Sequence, residues 1–495
     1  MNNFGELAKI VTRFRPINTD DIFGNGKNQN NKYLKLREAL AGDQAIVEED
    51  IEKIVGATRD SSSYRMFKLR FKEKLLNGLL ASRISHITNY SDAFIKLSRN
   101  VYCAKILSLL GARSSVNDLL EETLKKAIEF EFAEIIMYCC QALRQNQMYL
   151  LNLKKFNYYS RIYHKQSEIL ADENIAVEYY ELMILNDPGT LLFSTEYLNT
   201  MKKNVKEIET FIKKHNTYRL NLFYFRIKAS LQLNSQDYSA SLATWNEFSD
   251  FIEKYKHFEY KNRMGEILIQ KMHCYLYLRD YKNGLVCAEQ CSNTYEPGII
   301  NWFLYKELLL ILSLHTQNYV QAGLVIKEVT TSPYLKFKSE SFKERWKIFD
   351  AYYSILVMAG KAEAYSKAKF RFSSFINSVG IHTKDKKGFN ASLIIMELMY
   401  YLLNRDHHII TEKILALKVY SRRYFVANDN YRSYTFIQLM IQCEKYRFLK
   451  SIVLKKTLPL QAKLESTQFT FISSLDGIEI VPFMDLWKIV VECLD

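Results

Sequence analysis

The stretch that decides the fold runs from Gly265 to Gly298, GEILIQKMHCYLYLRDYKNGLVCAEQCSNTYEPG. Apolar residues recur every three to four positions on either side of LRDYKNG, the spacing of one buried helical face. LRDYKNG itself gathers Asp, Asn and Gly, so it reads as the hinge between two back-to-back helices. The EPG that follows reads as the stop after the second. One such pair cannot bury its own apolar face and must stack on neighbours.

The same vocabulary returns nearby. LQLNSQDYSAS holds Asp237-Tyr238 with Ser241 three residues on, and LYLRDYKNG holds Asp280-Tyr281 with Gly284. LSLHTQNYVQA holds Asn318-Tyr319 with Ala322, and AGKAEAYSKA holds Tyr365 with Ala368. The tyrosines are 43, 38 and 46 residues apart; Trp245, Ile326 and Phe372 each follow one of them by seven positions, and Pro297 and Pro333 fall near the ends of the second and third copies. These features resemble tetratricopeptide repeats. In that family an aromatic after an acidic turn residue packs between paired helices, a small residue lets them approach, and a proline ends the second helix. The copies here exceed the family's period of about 34 residues and lack the glycine of its first helix.

The resemblance implies an all-α fold, a right-handed α-solenoid of stacked antiparallel helix pairs. It also implies that the first helix of each pair lines a concave face that holds a peptide or protein. Polar residues of those helices are then candidate contacts: Arg226, Lys228, Gln270, Lys271, His273 and Lys306. The function expected is a non-catalytic scaffold or adaptor whose partner is another protein or peptide.

Composition agrees with long helices and short loops. Pro (6) and Gly (16) are scarce in 495 residues, so few breakers interrupt the helical pattern. A net charge of +14 permits an acidic partner, nucleic acid included, without demanding one. The eight cysteines are scattered and lack the density of a disulfide scaffold. MNNFGELAKIVTRFRPIN has no continuous apolar core, and the longest apolar runs, such as LLLIL at 308–312, are too short to span a bilayer. A cytoplasmic protein with reduced thiols and no membrane insertion is expected.

In order, the chain opens on a flexible segment, 1–30, in which GNGKNQNN is a polar loop. Gly24, Gly26 and Lys27 do not make a phosphate loop, because Asp21 and Asn28 stand where a glycine and a Ser or Thr are needed. Residues 31–90 read as a three-helix bundle. Its third helix starts after a cap at Ser62 or Ser63, with Tyr64, Phe67, Phe71, Leu75, Leu76 and Leu79 on an apolar stripe. Arg65, Lys68, Arg70, Lys72 and Lys74 are placed on the opposite face. This short–short–long pattern resembles the winged-helix module preceding helical repeats in some bacterial transcriptional regulators, which implies DNA contacts from those five residues. SHITNYSD (85–92) leaves no room for the two strands of a wing.

A helical stack follows over 91–215, with NDLLEETLKKAIEFEFAEIIMYCCQALRQ as one segment capped by Asn117. The tetratricopeptide-like repeats take 216–380, and further helix pairs 381–463. The tail, 464–495, carries a β-hairpin at Asp476-Gly477 and a final helix whose Leu486, Trp487, Ile489 and Val490 cover the last repeat. The last third, from KDKKGFN to EIVPFMDLW, resembles a group of long helical bacterial proteins, a likeness that brings no activity with it.

No catalytic residue, metal ligand or cofactor site emerges. His273, Cys274, Cys287 and Cys291 share one repeat, yet zinc needs four convergent ligands, and Cys291 takes a core position normally held by alanine. Buried thiols are expected there. No GxSxG, papain-like cysteine context, HExxH or dinucleotide fingerprint is present.

Overall fold

The computed structural model describes residues 32–41, 48–81, 89–186, 193–292, 294–365, 370–378, 389–424, 431–467 and 479–494. Every regular element among them is helical. The helices gather into two units, one of residues 1–170 with 257–259, the other of residues 171–256 with 260–495.

The first unit begins with α1 (Lys32–Ala41), α2 (Glu48–Val55) and α3 (Ser62–Ala81), closed over Leu36, Ile51, Val55, Tyr64, Phe71 and Leu75. Gly56 stops α2 at a φ of 67°, as a terminal glycine should. Ser61 rather than Ser62 or Ser63 caps α3, its Oγ accepting from the Tyr64 amide at 3.2 Å. Then come α4 (Asn89–Leu109), α5 (Arg113–Glu129), α6 (Ala133–Tyr149) and the first half of α7 (Leu153–Leu185), around Leu97, Leu120, Ile136, Cys139, Cys140 and Tyr159. α1 packs on α2 and α2 on α3, α4 packs on α5 and α5 on α6, and α4 also reaches α6.

Two expectations are corrected here. The segment read as one helix capped by Asn117 is two, α5 and α6, and Asn117 lies inside α5, where its Oδ1 accepts from Asn146 at 3.1 Å. The break falls at Glu131, a non-glycine residue with φ 56°. By contrast, α7 is a single unbroken helix of 33 residues.

The second unit continues with α8 (Thr195–His215), α9 (Tyr218–Asn234), α10 (Tyr238–Lys254), α11 (Tyr260–Tyr277) and α12 (Tyr281–Cys291). Next are α13 (Ile300–His315), α14 (Tyr319–Thr330), α15 (Glu340–Met358) and the short α16 (Phe372–Ser378). It ends with α17 (Phe389–Leu403), α18 (His407–Tyr424), α19 (Tyr431–Lys445), α20 (Lys450–Ser466) and α21 (Phe483–Glu492). Consecutive helices pack together from α8 to α15 and from α17 to α21, α15 packs on α17, and first helices also meet, α11 on α13. This is the pattern of stacked pairs.

The hinges noticed in the sequence share one backbone geometry. At Gln236-Asp237 the amide of Gln236 donates to the Leu233 carbonyl and that of Asp237 to the Gln232 carbonyl. These two bonds, with Gln236 at φ 62°, make a Schellman stop. Arg279-Asp280 and Gln317-Asn318 repeat the bonding, at φ 58° and 56°. The acidic or amide residue then caps the next helix: Asp237 accepts from the Ala240 amide (3.0 Å), Asp280 from Asn283 (3.3 Å) and Asn318 from Gln321 (3.2 Å). One helix ends and the next begins within three residues.

The small residues let helices close up. Ser241 and Ala322 are fully buried, and a Cβ on Gly284 would meet Leu312 Cδ2 at 2.9 Å. The fourth copy departs from the pattern. Its stop is at Gly360 (φ 67°), no Asp or Asn follows to cap a helix, and Tyr365 lies outside any helix with its hydroxyl donating to Asp350 (2.5 Å). Ala368 is outside the described residues. So is most of the expected hairpin, 468–478, while the described remainder, 479–482, is not strand.

Candidate functional site

The six candidate contacts divide into two sets of three. Arg226, on α9, forms a bidentate pair with Glu266 on α11, Nε to Oε1 at 2.7 Å and Nη2 to Oε2 at 2.5 Å. Glu266, Gln270 and His273 are spaced i, i+4, i+7, so they line one stripe of α11. Further along, Arg345 on α15 pairs with Glu307 on α13. Arg345 also acts on His273: burial first and this cation second push the imidazole down to about 4. Arg226, Gln270 and His273 therefore belong to a polar strip carried by successive first helices.

The other three turn elsewhere. Lys228 pairs with Glu247 of α10 at 3.6 Å, and Lys306 with Glu328 of α14 at 2.6 Å. Lys271 is half-buried; burial lowers its pKa, partly offset by Cys287 of α12 and Asp250 of α10. All three face second helices, where they brace each pair.

Glu266, Glu307 and Arg345 are members of the strip that the sequence reading missed. A signal for them exists. Arg226 and Glu266 are 40 residues apart, and Glu307 and Arg345 are 38 apart, each about one repeat. Opposite charges separated by one period meet across adjacent first helices. Glu307 is almost fully buried, and burial raises its carboxyl pKa in spite of Arg345.

On α3 the basic side chains are not ranged opposite the core as expected. Lys68 lies over the Tyr64 ring (5.2 Å) and Lys74 over Tyr33 (5.3 Å), both flanking the buried stripe. The centre of the outward face holds Met66, Leu69, Leu76 and Leu80, all exposed, with Glu73 among them. Leu76 is thus solvent-facing, one position round from the buried Leu75. Arg65, Arg70 and Lys72 are exposed but border this apolar centre. A helix reading a DNA groove presents polar and cationic groups at its centre.

The densest polar cluster of the second unit is structural. Arg432 donates to Glu479 from Nε (2.7 Å) and Nη2 (2.8 Å), and from Nη1 to the carbonyls of Leu464 and Thr467 (the latter 2.8 Å). Glu479, itself 2% exposed, also accepts from the Phe483 amide at 2.5 Å and so caps α21. His315 Nε2 donates to the Glu479 carbonyl (2.7 Å), leaving Nδ1 to face the Tyr281 hydroxyl (3.4 Å). Burial lowers the His315 pKa and keeps the ring neutral. Arg279 reaches the Thr467 carbonyl (3.0 Å) and Gln317 reaches Asp485 (3.0 Å). Leu486, Trp487, Ile489 and Val490 are buried as expected, but the segment they belong to folds back onto the hinges at 279–281 and 315–317. It does more than cover a last repeat.

The thiols of Cys274, Cys287 and Cys291 are buried, and burial pushes Cys274 and Cys291 up to about 11. Among the described residues no three His, Cys, Asp or Glu side chains converge, and no helix is long and apolar enough to cross a membrane. Compared with family models, curated proteins and solved structures, the chain finds no match in any of the three.

Proposed function

We propose that the protein is a non-catalytic scaffold, a right-handed solenoid of tetratricopeptide-like pairs that holds a peptide or protein on the face of its first helices. One observation carries this reading. Arg226–Glu266 and Arg345–Glu307 bridge neighbouring first helices, with Gln270 and His273 on the stripe between them. The strip offers donors and acceptors at repeat spacing, and an extended peptide presents its own backbone groups at regular intervals. The pairs also fix the side chains in advance, which reduces the entropy lost on binding.

The test uses the full chain as bait in its native host. A partner that binds the strip is lost with Gln270→Arg, a half-exposed position whose change leaves the core untouched. It is retained with Lys228→Ala or Lys306→Ala, which face second helices. A partner indifferent to Gln270→Arg, or none at all, refutes the assignment. The DNA-binding alternative gains no support from α3, whose outward centre is leucine. A steep loss of DNA affinity by the full chain with rising salt would restore it.

A further inference from the structure

The α4–α5 turn and the α6–α7 turn lie side by side at one end of the first unit. The Arg113 guanidinium sits over the Tyr149 ring at 4.1 Å, and Asn146 donates to Asn117 nearby at 3.1 Å. Leu109, Leu110, Leu150, Leu151 and Leu153 occupy these turns and are 63% to 91% exposed. The chain around them, 102–117 and 142–161, contains Lys105, Arg113, Arg144, Lys154, Lys155 and Arg161 and no Asp or Glu, while Asp118, Glu121 and Glu122 follow directly on α5. The acid that reaches in is Glu121, paired with Lys155 at 3.2 Å.

Leu151 is the sharpest feature. It holds the left-handed position of a Schellman stop, φ 52°, its amide donating to the Met148 carbonyl and that of Asn152 to Gln147. Where the same two-bond stop recurs in the described chain, the position is glycine (Gly111, Gly360) or polar (Glu131, Gln236, Arg279, Gln317, Arg405, Arg447). A leucine there strains its Cβ against the backbone, and at 91% exposure it gains nothing from burial. Glycine or asparagine would avoid both penalties.

We propose that this end of the molecule seats on an anionic lipid surface, its leucines entering the boundary between headgroups and acyl chains while the basic side chains meet lipid phosphates. Two observations favour lipid over a protein surface. Side chains this exposed project from turn tips, so a fluid that closes around them buries them best. The formal charge beside them is net positive, six Lys and Arg against Asp118, Glu121 and Glu122, and so complementary to phosphate. Docking from one side requires no spanning helix. The surface belongs to the first unit and the first-helix strip to the second, and it extends the reading beyond peptide binding.

The test is flotation of the full chain with vesicles of phosphatidylcholine mixed with phosphatidylglycerol, and with phosphatidylcholine alone. Binding to the mixed vesicles is expected, weakening with salt. Leu151→Asn should reduce partitioning about tenfold, from the apolar surface no longer buried. Lys154→Glu should reduce it at least fivefold, about what one cation contributes at such a surface. Because asparagine suits the left-handed conformation, Leu151→Asn should melt no lower than the parent. No binding to the mixed vesicles, equal binding to both vesicle types, or binding insensitive to Leu151→Asn overturns the proposal. So does a lowered melting temperature, which would give the leucine a role in the fold. A change in the sedimentation of the protein alone also overturns it, since the leucines would then join two copies.

Discussion

Arg432→Met tests whether the C-terminal segment is stapled to α19 by its buried ion pair. The substitution removes the two donors at 2.7 and 2.8 Å from Glu479, a carboxylate 2% exposed, and a donor from the carbonyls of Leu464 and Thr467. Removing one partner of a buried pair costs about 3–5 kcal/mol, because the remaining charge is left without compensation. Thr467 keeps Arg279 as a donor, which holds the loss within that range. In Arg432→Met/Glu479→Met both charges go, and the main remaining deficit is the Phe483 amide, without its acceptor at 2.5 Å, worth about 1–3 kcal/mol. The double variant should therefore be more stable than Arg432→Met alone. Urea unfolding gives the totals, and hydrogen exchange of the α21 amides, read by mass spectrometry, gives the local effect. A single-variant cost below about 1 kcal/mol, or unchanged exchange in α21, would refute the staple.

Three further outcomes follow from the packing. Gly323→Ala places a Cβ 2.4 Å from the Tyr353 hydroxyl, whose one proton is shared between the carbonyls of Tyr319 (3.1 Å) and Glu363 (2.9 Å). It should cost about 2–3 kcal/mol in urea unfolding, more than Gly284→Ala, where a methyl of Leu312 can turn aside. His273 and His315 are held neutral in the fold, so below 6.5 the unfolded chain binds more protons than the native one. Stability is then full above 6.5 and falls as pH drops, for His273 down to about 4 with a slope reaching about 1.4 kcal/mol per pH unit. Urea midpoints across that window should flatten in His273→Asn, and an unchanged slope would remove the assignment. Native labelling with a maleimide should modify Cys103 promptly and Cys493 slowly, sparing Cys139, Cys140, Cys274, Cys287, Cys291 and Cys443. Rapid labelling of any of those six would show the stack to be open.

Helix formation and the hinge chemistry were legible in the sequence itself. Scarce breakers and the 3.6-residue period give helices, and Asp237, Asp280 and Asn318 mark hinges because a short polar side chain after a left-handed residue caps the next helix. These are local properties of a few adjacent residues. A stop marked by neither glycine nor a following Asp or Asn was not legible. Glu131 ends a helix at φ 56° only because the packing of α5 on α6 outweighs the local strain, so two helices read as one. The 33-residue α7 runs unbroken through Asp172 and Glu173, with Glu173 buried and accepting from Thr217 at 2.6 Å.

Which residues could belong to a binding face was likewise only half decided. Arg226, Gln270, His273, Lys228, Lys271 and Lys306 share polar character and first-helix positions, and nothing local separates them. The tertiary structure does, because each residue along a helix turns through about 100° and the neighbour it meets depends on which helix packs there. The bond between His315 and the Glu479 backbone joins groups 164 positions apart, and no period or motif announces it. The sequence by itself determined that this chain forms helices hinged in pairs, because those interactions are short in range. Only the tertiary structure decided what faces what, because partners across a stack are chosen by packing.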